Sequence, residues 1–569
     1  LKLIPHEIAA RLGDAIRAAQ GAGDLPAFDP PNIDIKPPKH ANQGDYAASV
    51  ALALAKSAGM PPLEIANRIL KHFTLPTFIA SADVAPPGYI NLRLDEAWLK
   101  NQIEAIIAEG DTLFTLDVGK GKRALVEFVS ANPTGPITVG RTRGGVIGDS
   151  TARVLEAAGY TVEREYYFNN AGRQMRNLGN SLRLRYLQAL GRAVDLPVDD
   201  SFYQGEYLIE FADELVKEKG DALVDADWQP FKDYAEKRMF DWIKTSLGRI
   251  QIKHDVFFNE NSLYETGAIW NILEELQERG YVYKAARAES GEGDETAEDD
   301  GKGEAVWFRS TQFGDAKDRV LVKSSGEPTY TLPDIAYHVD KLRRGYDLCV
   351  NCLGSDHLVQ AQVVKYGVRA LGMDDSKLQV IFNQMVKIMR VGKEVRMSTR
   401  RGIFDTLDEL IDQTSPDAVR YLIGSRSPTN HVLFDLDLAV AQTNDNPVYY
   451  IQNAHVRCAG IFREAAACGV SDEGADISLL GADELRFVRK ALELGEVIEA
   501  AARTLEAHRV AFYALELAQT FHPIYDSVRV LHSEVPPPLQ RARLRFYRAA
   551  QIVFKRALML MGMNAPEYM

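Results

Sequence analysis

Three segments concentrate side chains able to do chemistry. The first is "SANPTGPITVGRTRGGVIGD", Ser130 to Asp149, which follows the apolar run "ALVEFV". Its Gly135, Gly140, Gly144, Gly145 and Gly148 are more than an ordinary strand-to-helix turn needs. Glycines let backbone come close to a ligand, and a helix start offers free N–H groups and a positive dipole end to phosphate. The stretch carries neither G-x-G-x-x-G nor G-K-[ST], so packing alone is an equal use for these glycines. The second segment is "KSSGEPTYTLPDIAYHVDKL", Lys323 to Leu342. Spacings of four and of seven or eight residues bring Tyr330, Asp334 and the pair Tyr337–His338 to one side of a helix, with Pro333 in its first turn. An aspartate among aromatics and hydroxyls suits a cationic ligand, and suits capping and core filling as well. In the third, "VKIMRVGKEVRMSTRRGIF", Lys387, Arg390, Lys393, Arg396, Arg400 and Arg401 crowd around a glycine-bearing loop. Such a loop could stabilise a polyphosphate during transfer, or be a solvated run of charge.

The elements around these segments say how they meet. "ALVEFV" reads as a short buried strand, "GGVIGDSTARVLEAAGY" as a helix and "TVEREYYFNN" as a second strand. Strand, turn, helix, strand is a βαβ unit, so an α/β fold with a doubly wound parallel sheet is expected, with ligands beyond the carboxyl ends of its strands. Residues 1 to 112 read as a small α/β domain. Its helices are "YAASVALALAKSAG" and "PPLEIANRILKHF", its strand is "GYINLRL", and "GDTLFTLDVGKGK" is a plausible boundary. Further strands are expected at "AVWFRS", "RVLVKS" and "DLCVNCLG", and after Asp437 nearly everything reads as a helical bundle.

Composition narrows the class. A chain of 569 residues with 46% hydrophobic and 25% charged residues predicts two to four globular domains. There is no apolar run of membrane-spanning length and no secretory pattern at the amphipathic start, so a cytoplasmic location is expected. Four cysteines give no disulfide framework, and the Cys349–Cys352 pair reads as small apolar residues around a buried strand rather than a metal site. The net charge of −13 argues against non-specific nucleic-acid binding. Much of the acid lies in Ala288 to Ala305, a low-complexity stretch expected to be a disordered surface insertion. From Gln540 to Ala565 the charge reverses: Arg541, Arg543, Arg545, Arg548, Lys555 and Arg556 stand with Phe546 and Tyr547, and no acid intervenes. A basic helix with aromatics can track phosphates and stack bases; a solvated face is the plainer use.

The order of these pieces resembles the arginyl-tRNA synthetases, class I aminoacyl-tRNA synthetases of bacterial type, over essentially the whole chain. "SANPTGPITVGRTRGGVIGD", "EYYFNNAGRQM", "GEYLIEFADEL", "DVFFNENSLYE", Thr329 to His338, "DAVRYLIGSRSP", "FDLDLA", "NPVYYIQNAHVR" and "MGMNAPEYM" all look like the family's blocks. The resemblance implies an additional tRNA-contacting domain at 1–112, a Rossmann-like catalytic domain with a helical insertion at 113–440, and a helical anticodon-binding domain at 441–569. It implies that ATP, with Mg2+, and L-arginine give arginyl-adenylate, which is passed to the 3′ end of tRNA(Arg), with activation requiring the bound tRNA. No tightly bound cofactor, no resident metal and no membrane are implied, and a monomer is expected. Arginine recognition maps onto Glu127, Ser130, Asn132, Tyr330, Asp334 and Gln360. ATP maps onto Pro136, Gly140, Gly144, Asp356, His357 and Met397. The basic helix would put Arg541, Arg545, Arg548 and Tyr547 against tRNA. A guanidinium carries five donors in a rigid fork, so carboxylates and amide oxygens around it tell it from a lysine ammonium.

The resemblance departs at the two class signatures. His-x-Gly-His stands here as Thr138-Val139-Gly140-Arg141, and Lys-Met-Ser-Lys as Arg396-Met397-Ser398-Thr399. A compensating lysine just upstream of the first signature is Gly135. Two expectations follow. Either Thr138, Gly140, Arg141, Lys393, Arg396, Ser398 and Arg400 form a rewired phosphate site in an active, slower enzyme. Or the chain is a degenerate paralogue that binds tRNA or arginine without activating it.

Overall fold

The computed structural model describes residues 1–197, 201–286, 288, 303–395 and 406–569. Most of the acidic stretch 288–305, and Arg396, Met397, Ser398 and Arg400 of the second signature, lie outside the described residues.

At the centre stands a five-stranded parallel sheet. Its strands are β1 (Arg123–Glu127), β2 (Thr161–Phe168), β3 (Val256–Asn259), β4 (Leu348–Gly354) and β5 (Leu378–Asn383), in the spatial order β5-β4-β1-β2-β3. The order in which strands are added reverses between β1 and β4: β2 and β3 lie on one side of β1, β4 and β5 on the other. Helix α1 (Val139–Ala157) carries β1 toward β2, while α2 (Thr331–Arg343) enters β4 and α3 (Leu358–Ala370) carries β4 out to β5. That reversal opens a crevice beyond the carboxyl ends of β1 and β4, where doubly wound sheets bind ligands. β1 and β4 are almost fully buried along their apolar runs, as a sheet covered on both faces requires.

Helix α1 presses closely on the end of β1, and two glycines permit it. A Cβ at Gly148 would lie 2.4 Å from Phe128 Cβ, and one at Gly145 would lie 3.1 Å from Val129. Gly140 and Gly144 meet no such wall and face the crevice. Past β5, β6 (Val386–Arg390) and β7 (Lys393–Val395) form a hairpin, and β8 (Val432–Asp435) runs parallel to β6.

The amino-terminal part is a four-stranded antiparallel sheet with helices that include Ile4–Gly21, Pro62–Lys71 and Glu96–Glu109. One sequence expectation fails there. Tyr46–Ala48, read as the start of a helix, is a strand paired with Tyr89–Leu94, and the helix begins only at Val50. After α4 (Pro416–Gly424) and β8, four long helices follow: α5 (Pro447–Ala467), α6 (Ala482–Thr504), α7 (His508–Ser527) and α8 (Pro537–Leu560). A single apolar cluster runs from the amino-terminal helices through the sheet into this bundle.

The basic helix α8 is a correction. Tyr547 is fully buried, its ring edge-on to Phe521 at 5.8 Å, so it cannot stack a base. Arg545 binds Glu104 at 2.8 Å and Asp472 at 3.2 Å, and Arg548 binds Asp472 at 2.7 Å. Lys555 meets Asp111 at 2.8 Å, and Arg541 is half-buried. The acids that match this cationic stripe come from distant parts of the chain, so α8 joins the bundle to the amino-terminal helices. Cys349 and Cys352 are buried along β4 as free thiols, and burial pushes both up.

Candidate functional site

The crevice holds two adjoining cavities. The inner one, about 230 Å³, is lined by Glu127, Ser130, Tyr167, Asp334, Tyr337, His338, Asn351 and Gln360 among others. The outer one, about 310 Å³, is lined by Thr138, Gly140, Gly144, Asp356, His357, Asn383 and Met385 among others. Arg141 and His357 line both.

The inner cavity is built by α2 and the ends of β1 and β4. On α2, Asp334, His338 and Lys341 lie at i, i+4 and i+7, one face of the helix. Asp334 accepts a 2.8 Å hydrogen bond from the Gln360 amide on α3. Burial pushes the Asp334 carboxyl up to about 7; the Gln360 hydrogen bond opposes this, while Glu260 and Glu127 add to it. His338 is driven down to about 3, chiefly by burial, and is neutral. Asn351 Nδ2 donates to its Nε2, so Nδ1 carries the proton and donates to the Asp334 carbonyl at 2.8 Å. Glu260 accepts from the Tyr167 hydroxyl at 2.6 Å, and its charge reaches Asp334.

At the end of β1 the backbone is strained: Val129 and Ser130 hold φ of 68° and 43°. Non-glycine residues rarely take this region, and such residues gather at functional sites. The turn aims the Ser130 hydroxyl at Glu127 Oε1, 2.8 Å away. The other oxygen of Glu127 accepts from Lys341 Nζ at 2.5 Å and Asn351 Nδ2 at 2.7 Å.

The outer cavity is built on the first turns of α1. Thr138 is the N-cap, its Oγ1 accepting from the Arg141 N–H at 3.4 Å. That leaves the remaining N–H groups of the first turn and an exposed Arg141 at the cavity floor. One turn deeper, Arg143 is buried and donates to the carbonyls of Gln384, Ser427 and Asn430 at 2.7, 3.0 and 2.6 Å. It fixes the wall that includes Gln384 and Met385 against α1. Lys393 is exposed on β7, which leads toward the second signature, and Thr406 beyond that signature bridges to Thr138.

Of the residues expected at the site, the structure gathers Glu127, Ser130, Asp334, Gln360, Thr138, Gly140, Arg141, Gly144, Asp356 and His357. It does not gather four others, of which Lys393, exposed on β7, lines neither cavity. Tyr330 sits at the start of α2, 87% exposed and outside the inner cavity. Asn132 has both ends of its amide engaged, with the Asn169 N–H and the Gln174 side chain, each at 2.9 Å. Pro136 lines neither cavity. Sequence reasoning missed Lys341, Asn351, Tyr167 and Glu260. The i+7 spacing from Asp334 was a signal for Lys341; the others carry none of their own.

No cluster of three or more His, Cys, Asp or Glu able to hold a metal occurs among the described residues. No helix among them is long and apolar enough to cross a membrane.

Comparison with known proteins matches this architecture part by part. The family model described as the arginyl tRNA synthetase N terminal domain matches residues 6–94. The class I (R) tRNA synthetase catalytic domain matches 102–433, and the DALR anticodon binding domain matches 451–569. The arginine–tRNA ligase of Desulfotalea psychrophila is 40% identical over 538 residues, 94% of each chain. That of Geobacillus thermodenitrificans is 40% identical over 576 residues, covering both chains completely. The solved arginyl-tRNA synthetase of Thermus thermophilus shares the fold, with a TM-score of 0.74 at 20% identity over 99% of this chain and all of its own. With a doubly wound sheet, paired cavities at its switch point and these matches along its length, the chain belongs to the arginyl-tRNA synthetase family.

Proposed function

We propose that the inner cavity takes arginine and the outer one ATP, so that the chain activates arginine and ligates it to tRNA(Arg). The observation that carries this is their junction at Arg141. A guanidinium against Asp334 and Gln360 points the other end of an arginine toward the first turn of α1. There its carboxylate oxygen would attack the α-phosphorus of ATP as the bond to pyrophosphate breaks. A terminal ribose hydroxyl of the tRNA then attacks the adenylate carbonyl, and AMP leaves.

In this reading no protein side chain becomes covalently bound, and rate comes from positioning and charge. Asp334 supplies the guanidinium's counter-charge and Gln360 an amide oxygen. Gly140 and Gly144 let the nucleotide lie on backbone. Thr138 caps the helix and has a hydroxyl proton left to donate. Arg141 offers a fixed cation to the α-phosphate, since arginine keeps its charge and can bind phosphate through two donors. Lys393, exposed on β7, is the one described member of the expected second-signature group; Arg396, Ser398 and Arg400 lie outside the described residues. Magnesium would ride on the polyphosphate, as this ion usually does, rather than in a cage of side chains. The same reading takes the chain as a cytoplasmic monomer.

The binding-only alternative has no observation in its favour: the relatives matched along the whole chain are named as ligases. Arginine-dependent ATP–pyrophosphate exchange, with and without tRNA(Arg), is the test. Exchange above a no-enzyme blank with tRNA present is the expected result, and its absence would overturn the catalytic reading.

A further inference from the structure

The buried pair Glu127–Lys341 is an unexpected feature of a pocket for a cation. Lys341 is completely buried and Glu127 is 4% exposed. Lys341 Nζ lies 2.5 Å from Glu127 Oε2, 3.1 Å from Asn351 Oδ1 and 4.1 Å from the centre of the Tyr337 ring. The charge of Glu127 is thus matched inside the protein before any ligand arrives. What Glu127 offers the cavity is an oxygen, Oε1, whose direction is set by Ser130 on one side and by the Lys341–Asn351 grip on the other.

We propose that Lys341 is a positioning residue for arginine binding, acting through Glu127: it neutralises that carboxylate and, by holding Oε2, sets the direction in which Oε1, the oxygen that Ser130 also engages, faces the cavity. The counter-charge for the guanidinium then falls to Asp334, with Glu260 behind it, and Glu127 reads the ligand by hydrogen bonding rather than by net charge. This separates two carboxylates that look equivalent in the sequence. A pocket with all three acids uncompensated would attract any cation; one acid cancelled by a built-in ammonium leaves direction, not charge, to select the planar fork. The inference rests on the assignment of the inner cavity to arginine.

The test uses the full chain with tRNA(Arg) in the exchange assay, and varies arginine and ATP separately. The unaltered chain and Asp334→Asn are measured first; exchange by the former upholds the catalytic reading and a raised arginine KM in the latter upholds the cavity assignment, whatever the Lys341 variants do. Lys341→Met strands the Glu127 carboxylate without its partner. The arginine KM should rise about tenfold or more while the ATP KM stays within about twofold. In an E127Q background the same K341M change should move the arginine KM by less than about twofold, because the charge it answers is gone. If K341M alone does not fold, the comparison of E127Q with E127Q/K341M still decides, since removing both charges of a buried pair is tolerated far better than removing one. An equal rise in both backgrounds, or arginine and ATP KM rising together, would overturn the proposal.

Discussion

Asp334 gives the sharpest prediction, because its environment and its proposed task conflict. The carboxyl is buried, and burial raises it to about 7 in the empty pocket. To hold a guanidinium it must be ionised, and the bound cation then keeps it so. Arginine binding is therefore linked to loss of one proton. The apparent dissociation constant scales as one plus the protonated-to-ionised ratio of the free site. For a group near 7 this is a factor of about 1.1 at pH 8, about 2 at pH 7 and about 11 at pH 6. Between pH 8 and pH 6 the affinity should fall about tenfold, or about 1.4 kcal/mol. The sign holds for stability too. A carboxyl whose folded value is raised disfavours the fold fully above about pH 7, and the penalty shrinks as pH falls from there, vanishing only below about 4 where the unfolded chain is protonated too. Arginine should thus raise Tm more at pH 8 than at pH 6. Isothermal titration in two buffers of different ionisation enthalpy measures both affinity and proton release. Asp334→Asn should bind arginine far more weakly and lose the pH dependence. Equal affinity at pH 6 and pH 8 in the unaltered chain would refute the assignment of Asp334 as the ionised counter-charge.

Three further outcomes are expected. Arg141→Ala should lower kcat of arginine activation by about a hundredfold with little change in ATP KM, if its charge acts at the transition state; equal loss in both would make it a binding residue only. Gly148→Ala should lower Tm, by about 1–3 kcal/mol of stability, because the new Cβ meets Phe128 at 2.4 Å; a neutral effect in a melting experiment would show that α1 can lift off β1. Glu496, in contact with the Tyr46 hydroxyl, is pushed up to about 7 mainly by burial. Glu496→Gln should stabilise the fold at pH 8 by up to about 3 kcal/mol, with the gain shrinking as pH falls below about 7 and gone only below about pH 4, where the unfolded carboxyl is protonated too; a gain independent of pH would exclude that cause.

Much of this site was legible because it is local. The βαβ unit, the glycine-rich turn and the run from Asp334 to His338 each lie within one stretch of chain, where spacing dictates which side chains share a face. What was not legible depends on partners from far away. Glu127 looked like a free carboxylate until Lys341, 214 residues on, closed on it. Tyr547 and Arg548 looked like a nucleic-acid face because composition shows a stripe of charge but not the acids facing it. Glu104, which engages Arg545, lies 441 residues upstream. Tyr330 failed for a smaller reason. Its backbone is helical at the start of α2, as the spacing implied, but spacing along one helix does not say whether another element covers that end, and the side chain is 87% exposed.

The glycine-rich turn shows how one helix start can carry several duties without the histidines its family signature leads one to expect. Position 138 must begin a helix, and threonine does so with its own oxygen, which favours this end over a histidine at the same place. Positions 140 and 144 are small where they line the outer cavity, the proposed place of the nucleotide, while 145 and 148 are small for the opposite reason, to bring α1 down on Phe128 and Val129. The cations divide likewise. Arg141 is exposed at the junction of the cavities, where a charge can move with a phosphate. Arg143 is buried on three carbonyls and cannot move without giving up three hydrogen bonds. The helix thereby fixes the wall of the nucleotide cavity with one arginine and addresses its contents with the other. Losing two histidines shifts the chemistry from imidazole hydrogen bonds to a permanent guanidinium, so the activation step should show no pH dependence from the signature itself, and any acid limb in its rate should belong to Asp334.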